Sequence, residues 1–295
     1  MDQPKNPNPL AAAAAVQDLI CNDRVLSFSS PQLMGVLNIT PDSFSDGGHL
    51  FDAGTVRLDA VRNQAQDMVA AGVAVLDIGG ESSRPGAVAV TSKEEQRRVL
   101  PVLEALADLD VVLSVDTYHA DTVRTAIDAG AGMINDITGG SDPAVVGAVA
   151  NSGVAYALMH MQGSPQTMQQ DPSYENVVAE IAEYLARRVG ECQRAGISAN
   201  RLIVDPGFGF GKSLEHNLAL LRQLPKIRVG NSPILVGLSR KSMIGAITGR
   251  PVDERLAGSL ATAVLAAQNG ANLIRVHDVV ESADVLSILD AYGTL

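Results

Sequence analysis

Short apolar runs alternate with amphipathic segments along most of this chain. We predict eight strands, because runs rich in Val, Ile and Leu recur between segments that repeat apolar positions at intervals of three and four. The strands are predicted at residues 33–37, 73–78, 111–115, 133–135, 154–159, 202–204, 234–238 and 273–276. The helices are predicted at residues 55–71, 92–109, 120–129, 143–151, 174–195, 214–224, 254–269 and 279–292.

A repeated phrase marks the passage from helix to strand. A small residue and a glycine precede an apolar run in AAGVAVLDIGG, DAGAGMINDITGG, NSGVAYALMH and QNGANLIRVHD. Glycine adopts the left-handed conformation that ends many helices, so the phrase predicts right-handed βαβ units around a parallel sheet. An open doubly wound sheet would show the same alternation and stays an alternative at this point.

Each predicted strand ends in a polar residue or cluster. These ends are Asn38, the segment 81–84, Asp116, Asn135, His160, Asp205, Lys241 and His277. In a (β/α)8 barrel the active site is built at the C-terminal ends of the strands. We therefore predict an α/β fold with a single (β/α)8 barrel over residues 31–295. Residues 1–30 are expected to be a loosely structured N-terminal extension, with a short strand across the barrel bottom as one option.

Composition narrows the classes of partner. The chain is 46% hydrophobic with no Trp, so its core must come from aliphatic side chains. Lys and Arg number 22 against 33 Asp and Glu, and the net charge of -11 disfavours a nucleic-acid partner. No apolar run approaches the roughly 18 residues that span a membrane, and the first residues lack a signal-peptide pattern. Cys21 and Cys192 are too few for a disulfide framework, which favours a reducing cytoplasm.

The first two strand ends carry parts that suit an anion or a metal. Asn38 lies where a ligand of a hard metal or a phosphate would lie, and the long loop after it is either functional or a pair of ordinary turns. The second strand ends in GGESSRPG, which offers backbone N–H groups, two hydroxyls and the guanidinium of Arg84. A surface ion pair between Arg84 and Glu81 is the alternative.

Acids and an amide at later strand ends suit a flat heterocycle. Asp116 accepts N–H bonds and Asn135 both donates and accepts, so the two residues suit an aminopyrimidine ring, although helix capping is an alternative for both. Asp205 is a third strand-end acid, followed by a Gly-Phe alternation that suits stacking on a planar ligand. The glycine spacing there matches neither the dinucleotide fingerprint nor the P-loop.

The last two loops are cationic. Lys241, Arg275 and His277, together with Arg84, would focus a positive field in one pocket and favour an anionic substrate. His160 is interpreted as a packed, hydrogen-bonded residue. The histidines at 49, 119 and 216 are expected to be peripheral. Because no Ser-His-Asp or Cys-His arrangement stands out, covalent nucleophilic catalysis has no candidate residue.

Eight phrases together resemble the dihydropteroate synthase family. They are MGVLNITPDSFSDGG, DIGGESSRPGA, SVDTY, INDITGG, MHMQGSPQTMQ, DPGFGFGK, GLSRKS and RVHDV, in order over about residues 33–292. Enzymes of that family, which sulfonamides inhibit, join 6-hydroxymethyl-7,8-dihydropterin pyrophosphate to p-aminobenzoate and release pyrophosphate. The resemblance implies a barrel, Mg2+ on the leaving group, small-molecule substrates and a homodimer, with the Ala- and Val-rich helices near the C-terminus as the surface for pairing.

The resemblance also assigns residues to each ligand. It implies that the pterin contacts Asp116, Asn135, Asp205 and Lys241, and that Asn38 carries the metal. It places Asn38, Ser83, Arg84, Arg275 and His277 around the pyrophosphate, and Phe44, Ser83, Pro85, Phe210 and Ser242 around p-aminobenzoate. The residues for catalysis are Arg84, Lys241, Arg275, His277, Asp116 and Asp205.

One residue departs from the family pattern, and two other functions compete with the synthase. Ser83 stands where many family members have Thr, which keeps the hydroxyl and removes a methyl group next to the aminobenzoate, so sulfonamide sensitivity stays open. The competing functions are a pterin-binding barrel that transfers a methyl group from a reduced folate, and a catalytically silent relative. A methyltransferase would not need the anion site of Arg84, Arg275 and His277.

Overall fold

The computed structural model describes residues 16–40, 51–52, 55–83 and 86–293. Its strands are β1 Leu19–Cys21, β2 Arg24–Leu26, β3 Gln32–Asn38, β4 Phe51–Asp52, β5 Thr55–Val56, β6 Val75–Gly79, β7 Val112–Asp116, β8 Met133–Asp136, β9 Ala155–Met159, β10 Leu202–Asp205, β11 Leu235–Gly237 and β12 Leu273–Val276. Its α-helices are α1 Leu58–Ala70, α2 Ser92–Leu106, α3 Ala120–Asp128, α4 Pro143–Ala150, α5 Val177–Arg194, α6 Leu214–Arg222, α7 Ser242–Thr248, α8 Leu256–Gln268 and α9 Val279–Gly293.

Eight parallel strands form a closed barrel with helices around it. The sheet runs in the order β10-β9-β8-β7-β6-β3-β12-β11. A parallel bridge between Val204 at β10 and Ile234 just before β11 joins its two ends. The (β/α)8 prediction is therefore confirmed, and the open sheet is excluded.

The predicted elements differ from the observed ones mainly at their ends. Helix α1 begins at Leu58 rather than residue 55, because the short hairpin of β4 and β5 occupies the preceding residues. Helix α5 begins at Val177 rather than residue 174, since the Asn176 side chain caps it by accepting a 3.1 Å hydrogen bond from the Ala179 N–H. Helix α7 was not predicted, because its seven residues are too few to show a periodic pattern.

The glycine phrase has two physical explanations. Gly72 and Gly130 have φ of +89° and +95°, and both follow helices as the left-handed cap that was predicted. Gly153 instead allows close approach, because a Cβ there would lie 2.6 Å from the Oδ1 of Asn22 in the N-terminal hairpin. Both uses favour glycine, but only the first was expected.

The hairpin of β1 and β2 fills the N-terminal end of the barrel. Leu19 and Cys21 are fully buried and belong to one apolar cluster with Met34, Val112 and other inward-facing strand residues. The expectation of a loosely structured extension is therefore wrong for residues 19–26, which form two paired strands. Residues 1–15 lie outside the described residues.

The barrel interior changes from apolar to polar along the strands. Side chains alternate across a strand, so Val75, Asp77 and Gly79 of β6 face the same side. Val75 belongs to the apolar cluster above the hairpin, whereas Asp77 and the inward-facing Ser114 of β7 form a hydrogen bond of 2.7 Å. A polar layer thus begins halfway up the barrel, below the C-terminal strand ends.

Within the described residues, which include both cysteines, there is neither a membrane-spanning helix nor a disulfide. Among the described residues, no helix is long and apolar enough to cross a membrane. Cys21 and Cys192 are both buried and free. Burial raises the pKa of the Cys192 thiol to about 11 and disfavours its reactive thiolate.

Candidate active site

Arg275 connects two carboxylates at the centre of the polar layer. Its Nε lies 2.6 Å from Asp77 Oδ2, and its Nη2 lies 3.0 Å from Asp116 Oδ2. Residues 77 and 116 come from β6 and β7, and Arg275 comes from β12, which β3 separates from β6. The predicted convergence of an acid and a cation at one mouth is therefore present in the geometry.

Asp205 and Lys241 form the second charged part of this mouth. The Lys241 ammonium donates a hydrogen bond to the Phe208 backbone oxygen and lies 4.7 Å from the centre of the Phe210 ring. Burial raises the pKa of Asp205, while the nearby charge of Lys241 lowers it. Burial lowers the pKa of Lys241 to about 8, while the charge of Asp205 raises it.

Asp116 and Asn135 lie side by side on β7 and β8, where they are paired in register. Burial raises the pKa of Asp116 to about 7, against the opposing effect of the Arg275 charge. The Asn135 side chain is buried and donates through Nδ2 to Asp77 Oδ2 at 3.1 Å. The Asp116 carboxyl is therefore a hydrogen-bond acceptor that can change its charge near pH 7, whereas the hydrogen bond to Asp77 fixes the orientation of the Asn135 amide.

Two further predicted residues border the same mouth. A Cβ at Gly79 would lie 3.7 Å from Asn38 Oδ1 and 3.8 Å from Asp116 Cβ, so the two side chains flank this glycine. His277 follows β12, and its Nδ1 lies 3.0 Å from Ser239 Oγ. Asn38 and His277 are both partly buried at the C-terminal ends of their strands, and their contacts with substrates stay a prediction.

The remaining predicted residues are placed less completely. Ser83 is partly buried at the end of the described part of its loop, and Phe210 is partly buried beside Lys241. Ser242 is exposed and begins α7 directly after Lys241. Three predicted residues lie outside the described residues, namely Phe44, Arg84 and Pro85.

Two places offer ligand atoms for a metal. The Asn38 amide oxygen is a hard ligand of the kind that Mg2+ accepts, and it borders the charged mouth. Within the described residues, Glu81, Glu95 and His119 also bring one ligand atom each within 4.8 Å of one another. A histidine in that second group suits a transition metal better than Mg2+, so Asn38 fits the predicted ion better.

The group around Glu81 corrects one sequence interpretation. Glu81 accepts a hydrogen bond from the Tyr118 hydroxyl at 2.7 Å, and its Oε2 lies 3.1 Å from His119 Nε2. His119 is therefore not peripheral, because it contacts the loop that carries Ser83. No periodicity could show this contact, since residues 81 and 119 follow different strands.

Buried groups behind the mouth hold the loops in place. Lys212 lies with its Nζ 3.1 Å from His160 Nδ1 and donates a 2.8 Å hydrogen bond to the Phe210 oxygen. The expectation that His160 is packed and hydrogen-bonded agrees with its burial and with an edge-on contact to Tyr184 at 4.8 Å between ring centres. Burial, together with the Lys212 charge, lowers the pKa of His160 to about 3, so this imidazole stays neutral.

Sequence reasoning did not assign a role to Asp77 or Lys212. Asp77 stands inside the quoted phrase DIGGESSRPGA, but it lies two residues before the strand end where polar residues were sought. The one available indication was a charged residue in the middle of an otherwise apolar strand, because such residues are rarely buried unless paired.

Comparison with known proteins gives a family match and close relatives. The family model described as "Pterin binding enzyme" matches residues 34–277. A relative from Escherichia coli named dihydropteroate synthase is 48% identical over 267 residues, which cover 90% of this chain and 93% of the relative.

Solved structures of similar proteins include ligand complexes. A Yersinia pestis dihydropteroate synthase with a sulfonamide drug has a TM-score of 0.89 at 45% identity, covering 94% of this chain and 100% of that chain. A Burkholderia cenocepacia enzyme with 7,8-dihydropteroate has a TM-score of 0.87 at 42% identity, covering 96% and 98%. A Xanthomonas albilineans enzyme with 4-aminobenzoic acid has a TM-score of 0.87 at 44% identity, covering 95% and 100%.

Proposed function

This chain belongs to the dihydropteroate synthase family, and from that premise we propose how its residues carry out the family reaction. The enzyme condenses 6-hydroxymethyl-7,8-dihydropterin pyrophosphate with p-aminobenzoate to give 7,8-dihydropteroate and pyrophosphate, a step of folate biosynthesis. The observation that supports the residue roles is the convergence of Asp116, Asp205, Lys241 and Arg275 at one mouth.

The pterin is held by the polar layer. Asp116 and Asp205 accept N–H bonds from the ring, Asn135 contacts the same edge, and Lys241 donates to a ring acceptor. Asn135 and Asp205 are buried and Asp116 and Lys241 are partly buried, so their hydrogen bonds are worth more than on a solvent-exposed surface. A planar aminopyrimidine fits this set because it offers several N–H groups in one plane.

The pyrophosphate lies above the pterin and meets cations and hydroxyls. We assign its contacts to Arg275 and His277, on β12 and directly after it, and to Ser83 and Arg84 in the sequence that follows β6. Preorganised cations stabilise charge that develops on the leaving oxygen without reorganising during the reaction. The overall charge of the chain is -11, so the attraction of these cations for an anionic leaving group is confined to their own surroundings.

We propose that Asn38 binds Mg2+, together with oxygens of the substrate. Mg2+ keeps several waters and commonly takes few protein ligands plus substrate phosphates, so one amide oxygen suffices from this chain. The ion would neutralise charge on the departing pyrophosphate.

The substitution proceeds by dissociation of the bond between the methylene carbon and the pyrophosphate oxygen. The resulting cation is delocalised into the pterin ring, and the carboxylates of Asp116 and Asp205 stabilise it as its positive charge grows. The amine of p-aminobenzoate is neutral at pH 7, so it attacks the methylene carbon with its own lone pair, and the ammonium that forms then releases its proton to solvent water. We assign Phe44, Ser83, Pro85, Phe210 and Ser242 to the contacts of this second substrate.

A pyrophosphate-release assay tests the proposed function. The synthase should release pyrophosphate from the pterin substrate at a high rate only when p-aminobenzoate is present. A methyltransferase or a catalytically silent relative would release none under either condition. Mass spectrometry should identify 7,8-dihydropteroate as the product, and its absence despite pyrophosphate release would refute the condensation.

We propose that the enzyme is a homodimer that works in the cytoplasm. The two C-terminal helices, which contact each other, carry exposed apolar side chains, with Ile288 and Tyr292 of α9 exposed by 71% and 75% and Leu265 of α8 by 47%. Two free cysteines fit a reducing compartment. Analytical ultracentrifugation should show a dimer for the wild type and a larger monomer fraction for Ile288→Asp, because a charge in an apolar interface is costly.

A further inference from the structure

Asp77 is a fully buried carboxylate at the centre of the polar layer. Its Oδ1 accepts a hydrogen bond from Ser114 Oγ at 2.7 Å, while its Oδ2 accepts from Asn135 Nδ2 at 3.1 Å and from Arg275 Nε at 2.6 Å. The three donors stand on β7, β8 and β12, so this one carboxylate connects residues of four strands. Two of those donors belong to residues that contact the substrates in the proposed function.

Asp77 fixes the plane of the Arg275 guanidinium. A guanidinium is rigid and planar, so hydrogen bonds on two of its edges define where the remaining N–H groups point. Asp77 holds Nε and Asp116 holds Nη2. Without Asp77, the single contact to Asp116 would leave the group free to rotate about that contact.

Asp77 also fixes the hydrogen-bond polarity of Asn135. An ionised carboxylate only accepts hydrogen bonds, so the Asn135 amide must turn its Nδ2 toward Asp77. The reverse orientation would place two acceptor oxygens against each other. The Oδ1 of Asn135 then faces away from Asp77 and presents an acceptor to the pocket above.

We propose that Asp77 is a positioning residue that aims Arg275 at the leaving group and makes Asn135 an obligatory acceptor, so that the pocket selects ligands with an N–H edge. This inference rests on the proposed function, because it assumes that the pterin occupies the mouth. Asp77 itself touches no substrate atom in this proposal. It acts through the two side chains that it orients.

The experiment compares Asp77→Asn with Ser114→Ala. Asparagine keeps the size of Asp77 but adds a donor, which allows the Asn135 amide to turn over. Ser114→Ala removes a hydrogen bond from the same carboxylate without altering Arg275 or Asn135, so it is the matched control. Both variants should be assayed for turnover, for KM of each substrate, for melting temperature, and for binding of 6-hydroxymethylpterin and its 2-oxo analogue.

The expected outcome separates positioning from mere structural support. In Asp77→Asn, kcat/KM for the pterin pyrophosphate should fall by on the order of 10²-fold, with KM for p-aminobenzoate unchanged. The preference for the 2-amino over the 2-oxo pterin should fall about tenfold, since one oriented acceptor is lost. Ser114→Ala should keep both values within about threefold of the wild type. A purely structural role would lower the melting temperature or the active fraction and leave KM and ligand preference unchanged.

Several outcomes would overturn the inference. An Asp77→Asn variant with wild-type ligand preference and wild-type KM would do so. Should that variant not fold, a structure of the wild-type enzyme with 6-hydroxymethylpterin decides, because an Asn135 Oδ1 that meets no ligand N–H contradicts the proposal. A wild-type enzyme that binds the pterin but makes no dihydropteroate refutes the proposed function instead, and the comparison of ligand preference still judges Asp77.

Discussion

Replacing Arg275 with alanine should reduce turnover far more than it reduces the folded fraction. Arg275 is the cation that lies between Asp77 and Asp116, at 2.6 and 3.0 Å, and it is also assigned to the leaving group. Loss of one preorganised charged contact typically costs on the order of 10²-fold in rate, which corresponds to about 2.7 kcal/mol of transition-state stabilisation. The pyrophosphate-release assay should therefore show kcat/KM lowered by at least about that factor.

The same substitution should also lower the free energy of unfolding. Asp77 is fully buried, and breaking a buried ion pair by removing one partner costs about 3 to 5 kcal/mol because the other charge is left unpaired. Proton uptake by Asp116, which loses the same partner, offsets part of this cost. Loss of the Arg275 charge would raise the pKa of Asp116 further above its value of about 7, so this carboxyl would be mostly neutral at pH 7.

A second buried arginine provides the control for these two effects. Arg201 lies at the N-terminal end of β10, where it donates a 2.8 Å hydrogen bond to the Val154 backbone oxygen, far from the charged mouth. Arg201→Ala should lower the melting temperature but keep kcat/KM per folded molecule. Near-normal turnover of Arg275→Ala, or an equal loss of turnover in the two variants, would refute the assignment of Arg275 to the reaction.

Three other properties of the site are open to measurement. The pH profile of kcat/KM should be bell-shaped, falling below about pH 7 as Asp116 takes up a proton and above about pH 8 as Lys241 loses one. Gly207→Ala should destabilise the protein by several kcal/mol, since Gly207 has φ of +67° and a Cβ would lie 2.0 Å from the His160 oxygen. Asn38→Ala should raise the Mg2+ concentration needed for half-maximal turnover about tenfold or more, as measured by titration after chelation.

Control variants are available for the Gly207→Ala and Asn38→Ala measurements. Gly196→Ala, at φ of +102° with no atom near the added Cβ, should cost only about 1 kcal/mol in urea unfolding. Glu95→Gln should leave the Mg2+ concentration for half-maximal turnover unchanged. An increase as large as that of Asn38→Ala would assign the metal to the group of Glu81, Glu95 and His119 instead. A flat pH profile between pH 5.5 and 9 would contradict the assigned roles of both titrating groups.

The sequence predicted the barrel well because its periodicity is local. Each apolar strand run lies within a few residues, so the predicted strand 273–276 coincides with Leu273–Val276 of β12. The polar strand ends follow from the same pattern, which is why the sequence alone predicts Asp116 and Asn135 at the ends of neighbouring strands. Boundaries such as the start of α5 depend on a single capping side chain and were less well predicted.

Contacts across the barrel could not be predicted in this way. The ion pair between Arg275 and Asp77 joins residues 198 positions apart, and no pattern in either segment indicates that the two residues are partners. The contact of His119 with Glu81 likewise depends on how two loops pack. Side-chain partners inside the polar layer are set by the closure of the sheet, which no local pattern encodes.

The hairpin of β1 and β2 has a consequence for the order of events at the opposite end. Because Leu19 and Cys21 are packed into the lower end of the barrel, ligands must enter and leave at the upper end, where the proposed pterin site lies on the polar layer. In the proposed arrangement, the pterin must arrive before p-aminobenzoate covers it, and dihydropteroate must depart before another pterin enters. The hairpin of β1 and β2 contributes no chemistry, yet by closing one end of the barrel it requires the pterin ring to bind first and to leave last.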